Sequence, residues 1–344
     1  MKIKPTPETK EERGNTEWEA LLRDEALLRI VGLRVEFRTE RAVVQALNGV
    51  DLVIHKGESL GLVGETGAGK TTTALSILNL LATDIAYRKG GFIEFDGRDV
   101  YQMSLAELRA MRGGKVSMIF QNPLTALNPV FTVGEQIALV LRIHQGLKKR
   151  EAMDRAAALL EMVGIPGYRV KDYPFQFSGG MRQRVGIAAG LACNPQLLIA
   201  DEPTTALDVT IQAQILELMR ELQKEYSASL LMITHNLGII SELCQRVAVM
   251  YAGRIIEYGA AENVFASPKH PYTIGLLGAL PALEGPRIEL TAIPGVIADA
   301  QNLPGGCAFH PRCEHCRAEC EGGQPLMSHV GDGHFVACYQ YGEG

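Results

Sequence analysis

Short apolar runs alternate along the chain with longer stretches in which apolar residues recur at helical spacing. The runs have the length and aliphatic character of strands in a sheet that is buried on both faces. Between residues 132 and 163 the spacing of Val133, Ile137 and Leu141 predicts helix instead. The alternation indicates an α/β protein. Four strand-like runs stand out, at residues 59–63, 115–120, 196–200 and 229–234.

The first 54 residues show two other patterns. Residues 1–24 are polar, but Trp18 and Leu22 could share one face of a short helix, so this extension is either a loosely packed tail or a docking helix. Residues 27–54 contain two longer apolar segments with a turn signal at Asn48-Gly49, which predicts antiparallel strands.

A polar residue or motif follows each of the four strand-like runs. Ligands of open α/β sheets bind outside the carboxyl ends of the strands. We therefore expect these polar groups to line one crevice. They are the loop that begins at Gly64, then Gln121, the pair Asp201-Glu202, and His235.

Composition and charge narrow the class of protein. The 344 residues are enough for about two domains. A net charge of −5 gives no electrostatic reason to expect nucleic acid as a partner. No signal peptide is visible, and no run approaches the roughly 18 apolar residues of a membrane-spanning helix. We expect a chain that does not cross a membrane by itself.

The strongest chemical signal is GETGAGKT at Gly64–Thr71, which matches the phosphate-binding P-loop. Its glycines let backbone N–H groups turn toward phosphates at the positive end of the following helix. Lys70 is expected to reach the β- and γ-phosphates, and Thr71 to ligate Mg²⁺. The predicted ATP-binding residues of this loop are Gly64, Thr66, Gly67, Ala68, Gly69, Lys70, Thr71 and Thr72.

The remaining strand ends supply groups for metal and water. Asp201 is predicted to hold Mg²⁺, and Glu202 to orient or deprotonate the attacking water. Gln121 is a candidate for sensing the metal and the γ-phosphate, with Thr71 and Asp201 as its fellow Mg²⁺ ligands. His235 is a candidate for contacting the γ-phosphate and the water. A surface glutamine and a structural histidine are the alternatives for these two residues taken alone.

A second phosphate-binding surface is predicted at FSGGMRQR, where a Ser-Gly-Gly loop precedes a helix with basic residues. Together with the P-loop, Gln121, LLIADEP, the segment at 205–208 and His235, it resembles the ordered motifs of ABC-transporter ATPases over about Leu27–Gly259. The resemblance implies an α/β, ABC-type P-loop ATPase with a RecA-like core, an antiparallel β subdomain, a helical signature subdomain at about 122–187 and a small Cys-rich C-terminal extension. The implied domains are 1–24, 25–260 and 261–344.

The resemblance also implies how the second surface works. Ser178, Gly179, Gly180 and Met181 would close over ATP that is held by another ATPase subunit, and Asp208 would lie at the same dimer junction. Arg41 aligns with the family's adenine-stacking aromatic residue, which is a departure from the pattern. An arginine plane can stack on a base, and Phe37 is the alternative contact.

The C-terminal segments SPKHPYTIGLLGALP and LPGGCAFHPRC resemble those of dipeptide and oligopeptide importer ATPases, and nickel importers share much of this extension. Met181 stands where glutamine is usual, which resembles the D-type chain of a heterodimeric pair. The implied protein is an energy-coupling subunit that lies peripherally on the cytoplasmic face of the membrane. Its implied partners are a second related ATPase, two membrane permeases and, indirectly, an extracellular solute-binding protein, without nucleic acid.

Five of the seven cysteines lie between residues 307 and 338, in a segment with few aliphatic residues. In a reducing compartment such a cluster indicates metal before disulfides. Four thiolates suit a [4Fe–4S] cluster or zinc; the resemblance favours the cluster, and the absence of any metal is a third possibility. Cys316 is an additional candidate that could displace one ligand. The implied ligands are Cys307, Cys313, Cys320 and Cys338.

Two alternatives to a peptide importer remain at the level of sequence. One is an importer of nickel or another small solute. The other is a soluble ABC ATPase that acts on nucleic acid or ribosomes, which the single P-loop and the negative net charge disfavour. ATP and Mg²⁺ are expected in every case.

Overall fold

A computed structural model describes residues 16–122, 126–205, 208–226, 228–279 and 293–342. The chain forms two units. Unit one comprises residues 1–54, 60–101 and 235–344, and unit two comprises residues 55–59 and 102–234. Residues 1–15, part of the predicted N-terminal extension, lie outside the described residues.

The strands are β1 (Leu28–Arg38), β2 (Val43–Ile54), β3 (Ser59–Val63), β4 (Ala86–Phe95), β5 (Arg98–Asp99), β6 (Val116–Ile119), β7 (Leu197–Asp201), β8 (Ser229–Ile233), β9 (Arg246–Tyr251), β10 (Arg254–Ala260), β11 (Ser328–His329) and β12 (Phe335–Val336). The α-helices are α1 (Thr16–Arg23), α2 (Lys70–Ile77), α3 (Leu105–Met111), α4 (Val133–Gln145), α5 (Lys149–Met162), α6 (Gly179–Leu191), α7 (Val209–Tyr226), α8 (Leu237–Leu243), α9 (Ala261–Ala266), α10 (Pro271–Gly278) and α11 (Ala318–Gly322). Single 3₁₀ turns occupy Val100–Gln102, Gly167–Lys171, Pro174–Gln176 and His310–Arg312.

Unit one contains the predicted antiparallel strands. They form a sheet in the order β2-β1-β4-β5. Ile30 of β1 pairs with Leu52 on one side and Ile93 on the other, and all three side chains are buried. The register shifts near Gly32, which adopts the left-handed conformation that favours glycine. The antiparallel prediction for residues 27–54 is therefore confirmed.

A second group of strands in unit one supports the P-loop. β3 pairs in parallel with β9, and β9 pairs antiparallel with β10. The C-terminal extension joins this sheet, because β12 pairs with β10 and β11 pairs with β12. Two strands of the extension thus continue the strand layer that begins beside the P-loop.

The described part of the N-terminal extension forms helix α1, as the docking alternative predicts. Trp18 is 1% exposed and packs at ring distances of 5.4 Å from Tyr258 and 5.1 Å from Phe335. Since aromatic contacts of this kind bury a large apolar area, α1 is anchored on β10 and β12.

Unit two combines parallel strands with the predicted helices. β6, β7 and β8 are neighbours in that order, and every residue of β7 and β8 is buried. Ser104 and Thr132 begin α3 and α4 with capping boxes, in which the third residue of each helix is a glutamate. The helical prediction for residues 132–163 is confirmed by α4 and α5.

Among the described residues, the structure contains no helix with the length and hydropathy that crossing a bilayer requires.

Candidate functional site

The P-loop of unit one takes a conformation that only glycines permit. Gly64 has a φ of 154°, and a Cβ atom there would lie 2.2 Å from the carbonyl oxygen of Met250. Gly69 caps α2 with a φ of 108°, and its Cβ would lie 2.7 Å from the carbonyl oxygen of Ala46. The chain therefore turns tightly from β3 into α2, and the N-terminal end of α2 lies at the loop.

Lys70 begins α2, and its side chain is buried inside this turn. Its Nζ donates hydrogen bonds to the carbonyl oxygens of Gly64 at 2.7 Å and Glu65 at 3.0 Å. Thr66, Gly67 and Thr71 are exposed on the loop. The structure thus holds the ammonium group against the loop, with a solvent-facing surface of backbone and hydroxyl groups beside it. Such a surface suits the phosphates of a nucleotide.

Glu202 occupies the end of β7 in unit two. Gln121 Nε2 donates to its carboxylate at 2.8 Å, and the Thr205 hydroxyl donates to the same oxygen at 2.9 Å. Its backbone N–H donates to the carbonyl of Ile233, the last residue of β8. The sequence predicts that Gln121 and Glu202 line one crevice, and the structure joins these two residues directly.

The backbone of Glu202 is unusual, because φ is 46° in a residue other than glycine. Such conformations cost about 1–3 kcal/mol and concentrate at functional sites. The preceding residue, Asp201, is 3% exposed. A carboxylate this buried needs compensating charge or hydrogen bonds to remain ionised, which is compatible with the predicted role of Asp201 as a ligand of a divalent cation.

The Ser-Gly-Gly segment begins α6 in unit two. Ser178 caps the helix by accepting a hydrogen bond from the Met181 N–H at 3.3 Å, and both Ser178 and Gly179 are exposed. Gly180 lies against α7, where its Cβ would come 2.6 Å from Cγ2 of Ile211. This helix end is open to solvent and carries the positive pole of a helix of 13 residues.

Arg169 supports the same helix end, and no sequence motif pointed to it. Its guanidinium lies 4.1 Å from the ring centre of Phe177 and donates to Asp172 and to the carbonyl of Gln176. It also approaches the sulfur of Met181 at 3.6 Å. A fixed cation thus lies directly behind the open helix end.

Four residues singled out in the sequence have described positions, and their roles stay predictions. Arg41 is exposed in the turn between β1 and β2, and Phe37 is half-buried in β1. Asp208 is exposed and accepts a hydrogen bond from the Ile211 N–H at the start of α7. His235 is exposed after β8, while Ala206 and Leu207 lie outside the described residues. The single crevice draws on residues of both units and stays a prediction.

In the C-terminal extension, one cavity brings together the four predicted cysteine ligands. Cys307, Cys313, Cys320 and Cys338 all line it, whereas Cys316 is exposed and lies outside its lining. Burial raises the pKa of Cys307 to about 11. Neighbouring thiols add to that shift, because nearby thiolates would repel one another.

The metal prediction itself is not confirmed. Within the described residues, no group of three or more histidine, cysteine, aspartate or glutamate side chains is arranged to hold a metal ion. Four cysteine thiols around one cavity are the donor types of either zinc or an iron–sulfur cluster, so the choice between them stays a prediction.

Two segments of the chain match models of known protein families. Residues 47–205 match the family model described as ABC transporter, and residues 256–320 match the oligopeptide/dipeptide transporter C-terminal region. The chain is 47% identical to the oligopeptide transport ATP-binding protein OppD of Salmonella typhimurium, over 91% of this chain and 93% of that protein. It is 49% identical to OppD of Bacillus subtilis, over 92% of this chain and 89% of that protein.

Solved structures agree with the fold. The chain is similar to an ATP-binding cassette solved as a dimer with ADP and Pi, with a TM-score of 0.61 and 27% identity over 68% of this chain and 98% of that one. It is also similar to CbiO1 of Clostridium perfringens, with a TM-score of 0.59 and 28% identity over 71% of this chain and 92% of that one.

Proposed function

Because the chain belongs to the oligopeptide-import ATP-binding proteins of the ABC transporter family, we propose that it couples ATP hydrolysis to the import of di- and oligopeptides. The observation that carries this proposal is the presence of both family segments in one chain. The first segment contains the P-loop and Glu202, and the second is named for oligopeptide and dipeptide transport.

The residue roles follow the chemistry of phosphoryl transfer. The P-loop residues from Gly64 to Thr72 bind the phosphates, and Arg41 contacts the adenine. Thr71, Gln121 and Asp201 would hold Mg²⁺, which would supply positive charge beside the transferred phosphoryl group. The Glu202 carboxylate orients the attacking water and accepts its proton, and the Gln121 and Thr205 hydrogen bonds support its placement. His235 contacts the γ-phosphate.

The open end of α6 supports the proposed partners. Ser178, Gly179, Gly180 and Met181 bind the ATP of a second, related ATPase subunit, and Asp208 lies at that junction. Methionine at position 181 favours a non-identical partner over a second copy. Two membrane permeases complete the importer, with this chain on the cytoplasmic face of the membrane and an extracellular solute-binding protein that delivers the peptide. The dimeric cassette with ADP and Pi supports this arrangement by similarity.

The cargo is tested in the assembled importer. The complex of both ATPases and both permeases is reconstituted in vesicles with its solute-binding protein, and ATP hydrolysis is measured with peptide or nickel added. We expect peptide to stimulate hydrolysis and nickel to leave it at the basal rate. Stimulation by nickel alone would contradict the peptide assignment.

We also propose that Cys307, Cys313, Cys320 and Cys338 bind a [4Fe–4S] cluster. The cavity that they share supports this assignment, and the cluster would stabilise a segment that has few aliphatic residues. Anaerobically purified protein should contain about four iron atoms per chain. Cys320→Ser should lose the iron, whereas the exposed Cys316→Ser should retain it. A colourless protein that contains zinc would contradict the proposal.

A further inference from the structure

A bidentate ion pair joins the P-loop to the C-terminal extension. Arg312 Nη1 lies 2.7 Å from Glu65 Oε2, and Arg312 Nη2 lies 3.2 Å from Glu65 Oε1. The side chain of Arg312 is 4% exposed and that of Glu65 is 22% exposed. Paired N–H···O bonds of this kind fix both distance and orientation. Residues 247 positions apart in the sequence are thereby held in one geometry.

The Arg312 guanidinium is itself held in place from several sides. Its Nε donates to the carbonyl of Pro294 at 3.0 Å, and Nη1 also donates to the Tyr251 hydroxyl at 3.4 Å. The rings of Tyr251 and Phe309 lie 5.9 and 5.7 Å from its central carbon. Packing and hydrogen bonds from Tyr251, Pro294 and Phe309 thus restrict the guanidinium independently of Glu65.

Glu65 links this anchor to the phosphate-binding lysine. Its N–H donates to the Tyr272 hydroxyl at 2.8 Å, so α10 holds its backbone while Arg312 holds its carboxylate. Its carbonyl accepts from Lys70 Nζ at 3.0 Å and from the Ala68 N–H at 3.2 Å. Residues that follow the cassette segment thus hold one side of Glu65, and the P-loop holds the other.

Attachment of the extension does not depend on Arg312 alone. His334 Nε2 lies 2.8 Å from Glu257 Oε1, and both side chains are buried. The pairing of β10 with β12 adds backbone hydrogen bonds at the same place. The His334–Glu257 contact therefore anchors the extension through residues other than Arg312 and Glu65, and offers a matched control.

We propose that Arg312 and Tyr272 are positioning residues that hold the P-loop ready for MgATP. This inference rests on the proposed function, in which the P-loop binds the nucleotide. A loop that is already ordered loses less conformational freedom when the ligand binds. Arg312 also balances the charge of Glu65, which would otherwise repel the triphosphate from within the loop.

The charge of Glu65 determines the direction in which the Kd for MgATP should change. In Arg312→Gln the Glu65 carboxylate lacks its cation, so the Kd for MgATP should rise on the order of tenfold. In the double variant Glu65→Gln/Arg312→Gln no uncompensated carboxylate remains, so most of the affinity should return. Equilibrium binding to the full chain measures both values, and KM in the assembled importer should move more than kcat.

His334→Gln is the matched control, because it breaks the other anchor of the extension. It should lower the unfolding temperature and leave the Kd for MgATP within about twofold. An equal rise in Kd for His334→Gln and Arg312→Gln, or no recovery in the double variant, would show that Arg312 only stabilises the extension. An unchanged Kd in Arg312→Gln would equally overturn the proposal.

Tyr272→Phe tests the backbone contact if Arg312→Gln does not fold. It removes one hydroxyl, and Kd should rise roughly threefold; an unchanged value would count against the proposal. Wild-type and Lys70→Ala proteins separate this inference from the proposed function. If wild type binds MgATP and Lys70→Ala does not, an unaltered Arg312→Gln refutes only the positioning role. If wild type fails to bind MgATP, both fail.

Discussion

Two helix ends in this chain are suited to phosphate, and they are built in opposite ways. At the start of α2, Lys70 is buried, Gly64 and Gly69 approach neighbouring backbone closely, and Glu65 is held by the C-terminal extension. At the start of α6, Ser178 and Gly179 are exposed, and contacts come from behind the helix end. The α2 end is thus surrounded by contacts from this chain, whereas the exposure of the α6 end fits the proposal that it binds the ATP of a second subunit.

The largest expected effect concerns the α2 end. Lys70→Ala removes the buried cation of the P-loop, so the affinity of the isolated chain for MgATP should fall about 100-fold. Lys56→Ala, which removes an exposed lysine in a turn, is the matched control and should bind as wild type does. Isothermal titration measures both, and retained affinity in Lys70→Ala would break the assignment of this end to the chain's own ATP.

Glu202→Gln tests whether the Glu202 carboxylate is needed for ATP turnover but not for MgATP binding. Turnover in the assembled importer should fall by about 10²–10³, since a general base contributes in this range, while MgATP affinity stays near that of wild type. Glu217→Gln on the surface of α7 is the control and should turn over normally. A Glu202→Gln protein with near-normal turnover would remove that residue from its role.

At the α6 end, Ser178→Ala should separate binding from turnover in another way. The isolated chain should bind MgATP with unchanged affinity, because its own site uses α2. The assembled pair should lose turnover roughly tenfold, as expected when one hydrogen bond to a charged group is lost. If Ser178→Ala weakened ATP binding by the isolated chain, the contrast between the two ends would fail.

The smallest expected effect is a change in the free energy of unfolding, caused by substitutions of two glycines in α6. Gly180→Ala places a Cβ 2.6 Å from Ile211, whereas a Cβ at Gly186 meets nothing within 4 Å. Gly180→Ala should therefore destabilise the protein by about 1–3 kcal/mol, and Gly186→Ala should stabilise it by up to about 1 kcal/mol. Urea denaturation compares them, and equal midpoints would contradict the close packing of α6 on α7.

The sequence sufficed for the features that depend on local pattern. The P-loop glycines, the four strand-like runs and the antiparallel strands of residues 27–54 all follow from spacing, and so does the placement of Gln121 near Glu202. The strands of the C-terminal extension were harder to predict. β11 and β12 have two residues each, which is too short to show an alternation of apolar and polar residues. The Arg312–Glu65 pair escaped prediction for a different reason, since an ion pair across 247 positions leaves no periodic signal. Arg169 and Thr205 act through contacts that only the folded chain defines.

The central claim is that this chain holds ATP at α2 and serves another subunit's ATP at α6. The most direct test is ATP turnover by the chain alone and with its partner ATPase, at saturating MgATP. We expect the isolated chain to bind one MgATP yet to turn over on the order of 10²-fold more slowly than the pair, because donors at the transition state come from the partner. Full turnover by a strictly monomeric preparation would contradict it.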